Sequence, residues 1–213
     1  MTLKDLAATF LLVYAGLFPI VNPIGGAPIF LALTRHSTDK ERNALALRVT
    51  SSSFLMLLGS LLLGSYVLEF FGITLPVVRV AGGLVVTATG WSLLQEGQVE
   101  EQDTTRGPAK PMDSFYPLTM PITVGPGSIA TAITIGSQRP RVGFTHLALL
   151  GGSATAGLIA ISATIYICYR FAEGTVGLLG EQGTNVLVRL SAFILLCIGI
   201  EILWNGYSAL AHS

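Results

Sequence analysis

The residues best placed to do chemistry fall in two stretches, 19–28, PIVNPIGGAP, and 117–126, PLTMPITVGP. Each puts prolines and small or polar residues inside a run otherwise apolar enough to cross a membrane. A proline within a helix removes a backbone hydrogen bond and costs about 3 kcal/mol, so three within ten residues predict an interrupted helix. In hydrocarbon such an interruption survives only where the backbone is buried in protein or lines a cavity. The interruptions are expected at 22–26 and in TVGPGS, 123–128. Half-helices restarting at Gly26-Ala27-Pro28 and Gly127-Ser128-Ile129 would present free amides at the positive end of a helix dipole, which attracts a carboxylate or another anion. Asn22, Thr119, Thr123 and Ser128 add neutral polar groups, and Gly125 and Gly127 let the backbone approach a ligand closely. Free amides with few formal charges suit a small zwitterion better than a bare metal ion. The competing reading is a pair of packing kinks that bind nothing, like the helix contacts expected at Gly82-Gly83 and Gly151-Gly152.

Six apolar runs of roughly 20 residues or more are long enough to span a bilayer: 6–33, 49–71, 76–94, 115–135, 144–169 and 186–210. One strongly polar connector, 96–113, separates three runs from three, dividing the chain into 1–95 and 114–213. Without a gap, Pro19, Pro23 and Pro28 align with Pro117, Pro121 and Pro126, always 98 positions apart. With proline at about 5% of residues, three coincidences at one offset arise by chance on the order of once in ten thousand trials. Val78-Arg79-Val80 likewise matches Val188-Arg189-Leu190, at a separation of 110. A three-span unit followed by its copy places the copy upside down, which is the plan of many secondary transporters. The expected fold is therefore an all-α membrane protein of six transmembrane helices in two inverted three-helix repeats. The first helix of each is broken, with Pro19, Pro28, Pro121 and Pro126 as helix-breaking positions.

Composition agrees with the membrane reading. Of 213 residues 51% are hydrophobic and 11% charged, against roughly 25% charged in soluble domains, and mean hydropathy is +0.67. Net charge is zero and there is no Lys/Arg run, which sets nucleic acid aside as a partner. Cys168 and Cys197 stand alone in apolar runs, and His36, His146 and His212 are scattered, so no metal centre is expected. The absence of a phosphate-binding loop and of a spaced nucleophile and base argues against ATP-driven pumping and against an enzyme, and no cofactor is called for. Arg79 and Arg189 lie inside spans, where an arginine costs roughly 2.5–3.5 kcal/mol on insertion scales. They read as gate charges, as ties for carbonyls freed at the breaks, or as side chains snorkelling to headgroups. Glu201 reads as an interfacial residue beside Trp204 and Tyr207. Counting Lys and Arg between spans gives seven on one side and three on the other, which puts both termini outside the cytoplasm.

FPIVNPIGGAPIFLALT, PLTMPITVGPGSIA, the RVAGGLVV run at Arg79 and the late VRLSAFILLCIGIEILWNG together resemble the MarC family of bacterial and archaeal integral membrane proteins. The resemblance covers nearly the whole chain. It implies a multi-pass protein of the cytoplasmic (inner) membrane within the larger group of lysine-exporter-like transporters. Members of the SnatA type are associated with small neutral amino acids such as glycine and alanine. By motif position the resemblance carries a broken-helix role to Asn22, Pro23, Gly25, Pro28, Pro121, Gly125, Pro126 and Gly127. Taken with the reading of the two stretches, the expected substrate contacts are Asn22, Pro23, Gly25, Gly26, Thr119, Thr123, Gly125, Gly127 and Ser128. Met120 stands where the first repeat has Asn22, so any asparagine role is one-sided. Thiol-relay relatives keep cysteines at their breaks and this chain has none there, which argues against electron transfer. The function so implied is export of small neutral amino acids by alternating access. The bilayer is one partner, and a coupling proton or sodium ion and a second copy of the chain remain open. The alternatives are a permease for an ion or other small solute, and a non-transporting scaffold or accessory subunit.

Overall fold

The computed structural model describes residues 3–95, 114–137 and 144–211; the polar connector 96–113 lies outside them. Every regular element among the described residues is helical. In order they are α1 (Leu3–Val21), α2 (Pro23–Leu33), α3 (Asp39–Phe70), α4 (Leu75–Gln95), a wide-turn segment of π type (Ser114–Thr123), α5 (Pro126–Ser137), α6 (Phe144–Arg170) and α7 (Ala172–Ala211).

Among the described residues, five stretches of continuous helix are long and apolar enough to cross a membrane: Lys4–Val21, Asp39–Phe70, Leu75–Gln95, Leu149–Arg170 and Gln182–Ala211. The fourth expected span, 115–135, is interrupted, as the sequence suggests, and is not one helix. It is divided at Val124 and Gly125 into the wide-turn segment and α5, of 10 and 12 residues, each shorter than the roughly 20 residues a crossing requires. The first expected span, 6–33, is likewise α1 and α2 in series. α7 bends at Gly180, whose φ of 66° and ψ of 179° are non-helical, so its spanning part follows that residue.

α3 has 32 residues, about 48 Å at 1.5 Å per residue, more than the hydrocarbon thickness of about 30 Å. Its polar start, DKERN, therefore projects beyond the apolar part. There Thr38 caps the helix reciprocally: its amide donates to Glu41 Oε2 at 2.8 Å, and the Glu41 amide donates to Thr38 Oγ1 at 3.4 Å. Arg42 joins Asp39 at 3.3 Å and Glu173 at 2.7 Å, fastening the start of α3 to the start of α7.

The core lies between α1, α3 and α6, where Val13, Leu17, Val49, Leu57, Leu158, Ile161 and Ile165 are fully buried. Large apolar side chains also point outward, among them Leu55, Leu63, Phe193 and Ile200, each more than half exposed. Lipid is the solvent that such a surface fits. α4 and α7 pack along glycines: a Cβ at Gly83 would meet Gly199 and Leu203, one at Gly90 would meet Ala192 and Leu196, and one at Gly206 would meet Pro76 and Val80. Rising residue numbers on α4 face falling numbers on α7, so the two helices run antiparallel. Small residues let their backbones approach, as van der Waals packing in lipid favours. Gly82 also packs tightly, against Ala130, whereas a Cβ at Gly151 or Gly152 would meet nothing within 4 Å among the described residues. The contact role expected of that second pair is not seen.

Candidate functional site

The first break is a single residue. α1 runs through Pro19 to Val21, and the backbone turns at Asn22, whose φ of 47° and ψ of 57° are left-handed. Asparagine tolerates that region better than other non-glycine residues because its short amide bonds locally. Here its Oδ1 accepts from the Gly25 amide at 3.2 Å, capping α2, while its carbonyl accepts from the Gly26 amide at 2.9 Å. Pro23 occupies the first position of α2, where its missing N–H is no loss. The interruption is thus narrower than the expected 22–26: Pro23, Gly25 and Gly26 are already helical and buried, and Pro28 sits inside α2.

The second break falls one turn further along in the aligned register. Met120 matches Asn22 but lies within the helical segment, and only Val124 and Gly125, aligned with Gly26 and Ala27, leave it. The residue before a proline is pushed out of the helical region, so Gly125 ends the segment and Pro126 opens α5. Before the gap the turns are wide, with hydrogen bonds five residues back. The Val124 amide donates to the Thr119 carbonyl at 2.8 Å, the Thr119 hydroxyl to Ser114 at 2.7 Å, and the Thr123 hydroxyl to Leu118 at 2.8 Å. Pro121 lies inside this segment. The Ser128 hydroxyl donates to the Gly125 carbonyl at 2.8 Å. The three hydroxyls expected as ligand groups therefore all donate to backbone. Gly127 faces α4: a Cβ there would overlap Val86.

The two breaks meet on a residue that the sequence did not single out, Tyr169 near the end of α6. It is 1% exposed, and its ring stacks on Phe30 of α2, centroids 4.5 Å apart at 12°. Its hydroxyl lies 2.8 Å from Thr123 Oγ1. Thr123 already gives its one proton to Leu118, so Tyr169 is the donor. On the α2 side a Cβ at Gly26 would sit 2.8 Å from the same oxygen, so glycine is what lets α2 close over the hydroxyl. One phenol therefore touches the first turn of α2 and the last turn before the second gap. The only available sequence signal is a tyrosine at the edge of an apolar run, which does not distinguish it from an interfacial belt residue. In this arrangement Gly26, Thr123, Thr119, Gly127 and Ser128 are all buried, and the junction is closed by packing.

The two intramembrane arginines are placed differently. Arg79 is half-buried and lines a cavity between α4, α5 and α7, while Arg189 is exposed on α7. Glu201, also exposed, accepts from Asn205 Nδ2 at 3.1 Å. No group of three or more metal-ligating side chains occurs among the described residues.

Comparison with known proteins gives a family. The model of the MarC family of integral membrane proteins matches residues 7–211. This chain belongs to that family. An uncharacterised-family (UPF0056) membrane protein of Buchnera aphidicola subsp. Schizaphis graminum is 32% identical over 203 residues, covering 93% of each chain. The membrane protein YhcE of Escherichia coli is 29% identical over 197 residues, 91% of this chain and 89% of that one. The inner membrane protein MarC of Citrobacter koseri is 29% identical over 199 residues, 89% and 90% of the two chains. No solved structure matches the chain. With its apolar helices, this MarC-family chain is an integral membrane protein.

Proposed function

We propose that the chain is a secondary transporter that exports small neutral amino acids, of the size of alanine or glycine, by alternating access. The observation that carries the reading is the junction at Tyr169, where both interrupted segments meet on one buried hydroxyl. Breaks made only as kinks would have no need to share a partner. A left-handed single-residue turn at Asn22 and a two-residue gap at Val124 and Gly125 are narrow hinges. The Gly25 and Gly26 amides expected to be free at the start of α2 are held by Asn22, so the amides that a carboxylate would seek are those of Gly127 and Ser128 in the first turn of α5.

An inverted repeat is the architecture of this reading, and the packing supports it. Exchanging the first half for the second turns α1 on α6 into the wide-turn segment on α3, α2 on α6 into α5 on α3, and α2 on α7 into α5 on α4. The α3–α6 and α4–α7 contacts map onto themselves, and each of these pairs is in contact. The six spans are then four unbroken helices and two broken ones. The lysine and arginine count orients the termini outward. The closed junction corresponds to an occluded or resting state, and transport requires the Tyr169 contact to loosen. Saturable counterflow of labelled alanine or glycine in proteoliposomes tests the reading; folded protein that gives none overturns it.

A further inference from the structure

Apart from the two breaks, a cavity of about 380 Å³ opens between α4, α5 and α7, lined by Arg79, Ala130, Thr131, Thr134, Ile202 and Asn205. We propose that it is a binding site for a small monocarboxylate, with Arg79 as the group that recognises the carboxylate. The amino-acid identity of its physiological ligand rests on the transporter reading above; carboxylate recognition does not.

Arg79 is the fifth residue of α4. Among the described residues its guanidinium has neither an ion pair nor a hydrogen bond. A guanidinium carries five donors in a planar fork that matches a carboxylate in bidentate fashion, and a charge held within a membrane helix faces a cavity or finds a partner. On α7, Glu201 is held by Asn205 one helical turn away at 3.1 Å, and among the described residues it forms no ion pair with Arg79. The other polar walls are neutral. Thr131 and Thr134, three apart on α5, share one helix face, and Asn205 contributes an amide. The Thr134 hydroxyl is buried without a hydrogen-bond partner. One positive charge among neutral hydroxyls and an amide selects a monoanion or a zwitterion over a dianion. The volume falls within the range of about 300–1,000 Å³ typical of small-molecule clefts, ample for acetate or alanine.

The approach of α7 that forms one wall depends on Gly206, where a Cβ would come within 2.9 Å of both Arg79 Cβ and the Pro76 carbonyl. The cavity lies where α4 begins and where α5 and α7 end. That is the side assigned to the exterior above, so in an exporter this cavity is a release vestibule reached after the junction opens.

The test uses full-length protein in nanodiscs, with Cys168 and Cys197 replaced by alanine and Ile202→Cys as an apolar reporter on the cavity wall. The rate of maleimide labelling is the readout. L-Alanine and sodium acetate should each slow labelling severalfold, while methylammonium chloride and sodium chloride should not. Arg79→Gln should abolish the protection and Arg79→Lys should retain it with weaker affinity, since lysine keeps the charge and loses the fork. A ligand-free labelling rate equal to the parent's, with a monodisperse elution profile, establishes that each variant is folded. Unchanged labelling with acetate in the parent, or protection that persists in Arg79→Gln, overturns the proposal. Acetate protection without alanine counterflow would uphold the site and refute amino-acid transport. Normal counterflow without protection would do the reverse.

Discussion

The tie between Tyr169 and Thr123 is a single hydrogen bond of 2.8 Å between two side chains each 1% exposed, and removing its two ends has unequal consequences. Tyr169→Phe keeps the stack on Phe30 and leaves Thr123 satisfied by the Leu118 carbonyl, so only the net value of the bond is lost, about 0.5–1.5 kcal/mol. Thr123→Val instead leaves a buried phenol with no acceptor, a cost of about 1–3 kcal/mol. Side-chain hydrogen bonds in membrane helices average about 0.6 kcal/mol in double-mutant cycles, with a maximum near 1.7 kcal/mol. We therefore expect a coupling energy of about 0.6–1.5 kcal/mol between the two substitutions, roughly a 3- to 13-fold effect on an equilibrium constant. The assay is equilibrium unfolding in micelles of the parent, both single variants and the double variant. Fully additive costs, or Tyr169→Phe more damaging than Thr123→Val, would refute the assignment of this bond as the link between the breaks.

Further predictions concern the hinges and the seams around them. Asn22→Gly should lower stability by only a few tenths of a kcal/mol, because glycine takes up the left-handed turn and caps moderately well. Asn22→Ala should lose the cap, about 0.5–2 kcal/mol, and add backbone strain of about 1–2 kcal/mol; equal melting temperatures for the two variants would contradict the single-residue hinge. Gly127→Ala should overpack against Val86 by about 1–3 kcal/mol, and Val86→Ala in the same chain should recover most of that stability; no recovery would place the clash elsewhere. Gly199→Leu should abolish the folded yield, because a Cβ there already comes within 2.5 Å of the Thr87 backbone nitrogen. The same change at Gly152, which has open space, should be tolerated in size-exclusion profiles.

Much of the fold was legible because the constraints were local and additive. Apolar run length located the long helices, and the 98-residue offset between proline sets located both interruptions to within a few residues. What proline content could not give was the residue at which each span is interrupted. Pro19 and Pro28 were as prominent as Pro23, yet both are accommodated inside helices. The first break follows the one nearby non-glycine residue that adopts the left-handed region, and the second follows the Gly125-Pro126 pair. Run length alone would have counted the fourth run as one helix, since hydropathy is blind to a two-residue gap; the prolines and glycines of 121–127 were what marked the interruption there. Tyr169 was missed because its role exists only in three dimensions: nothing in its own stretch shows that Phe30, Gly26 and Thr123 converge on it. The small-residue pair at Gly82-Gly83 was legible as a packing surface, whereas Gly151-Gly152 looked identical in sequence and meets no neighbour among the described residues.

The central claim, that the two breaks joined at Tyr169 form the gate of an amino-acid transporter, is tested most directly by counterflow of labelled L-alanine into proteoliposomes preloaded with unlabelled L-alanine. Transient, saturable accumulation by the parent protein is expected, with a rate changed by Tyr169→Phe. Accumulation no greater than in protein-free liposomes, for protein shown to be folded in the membrane, would contradict it.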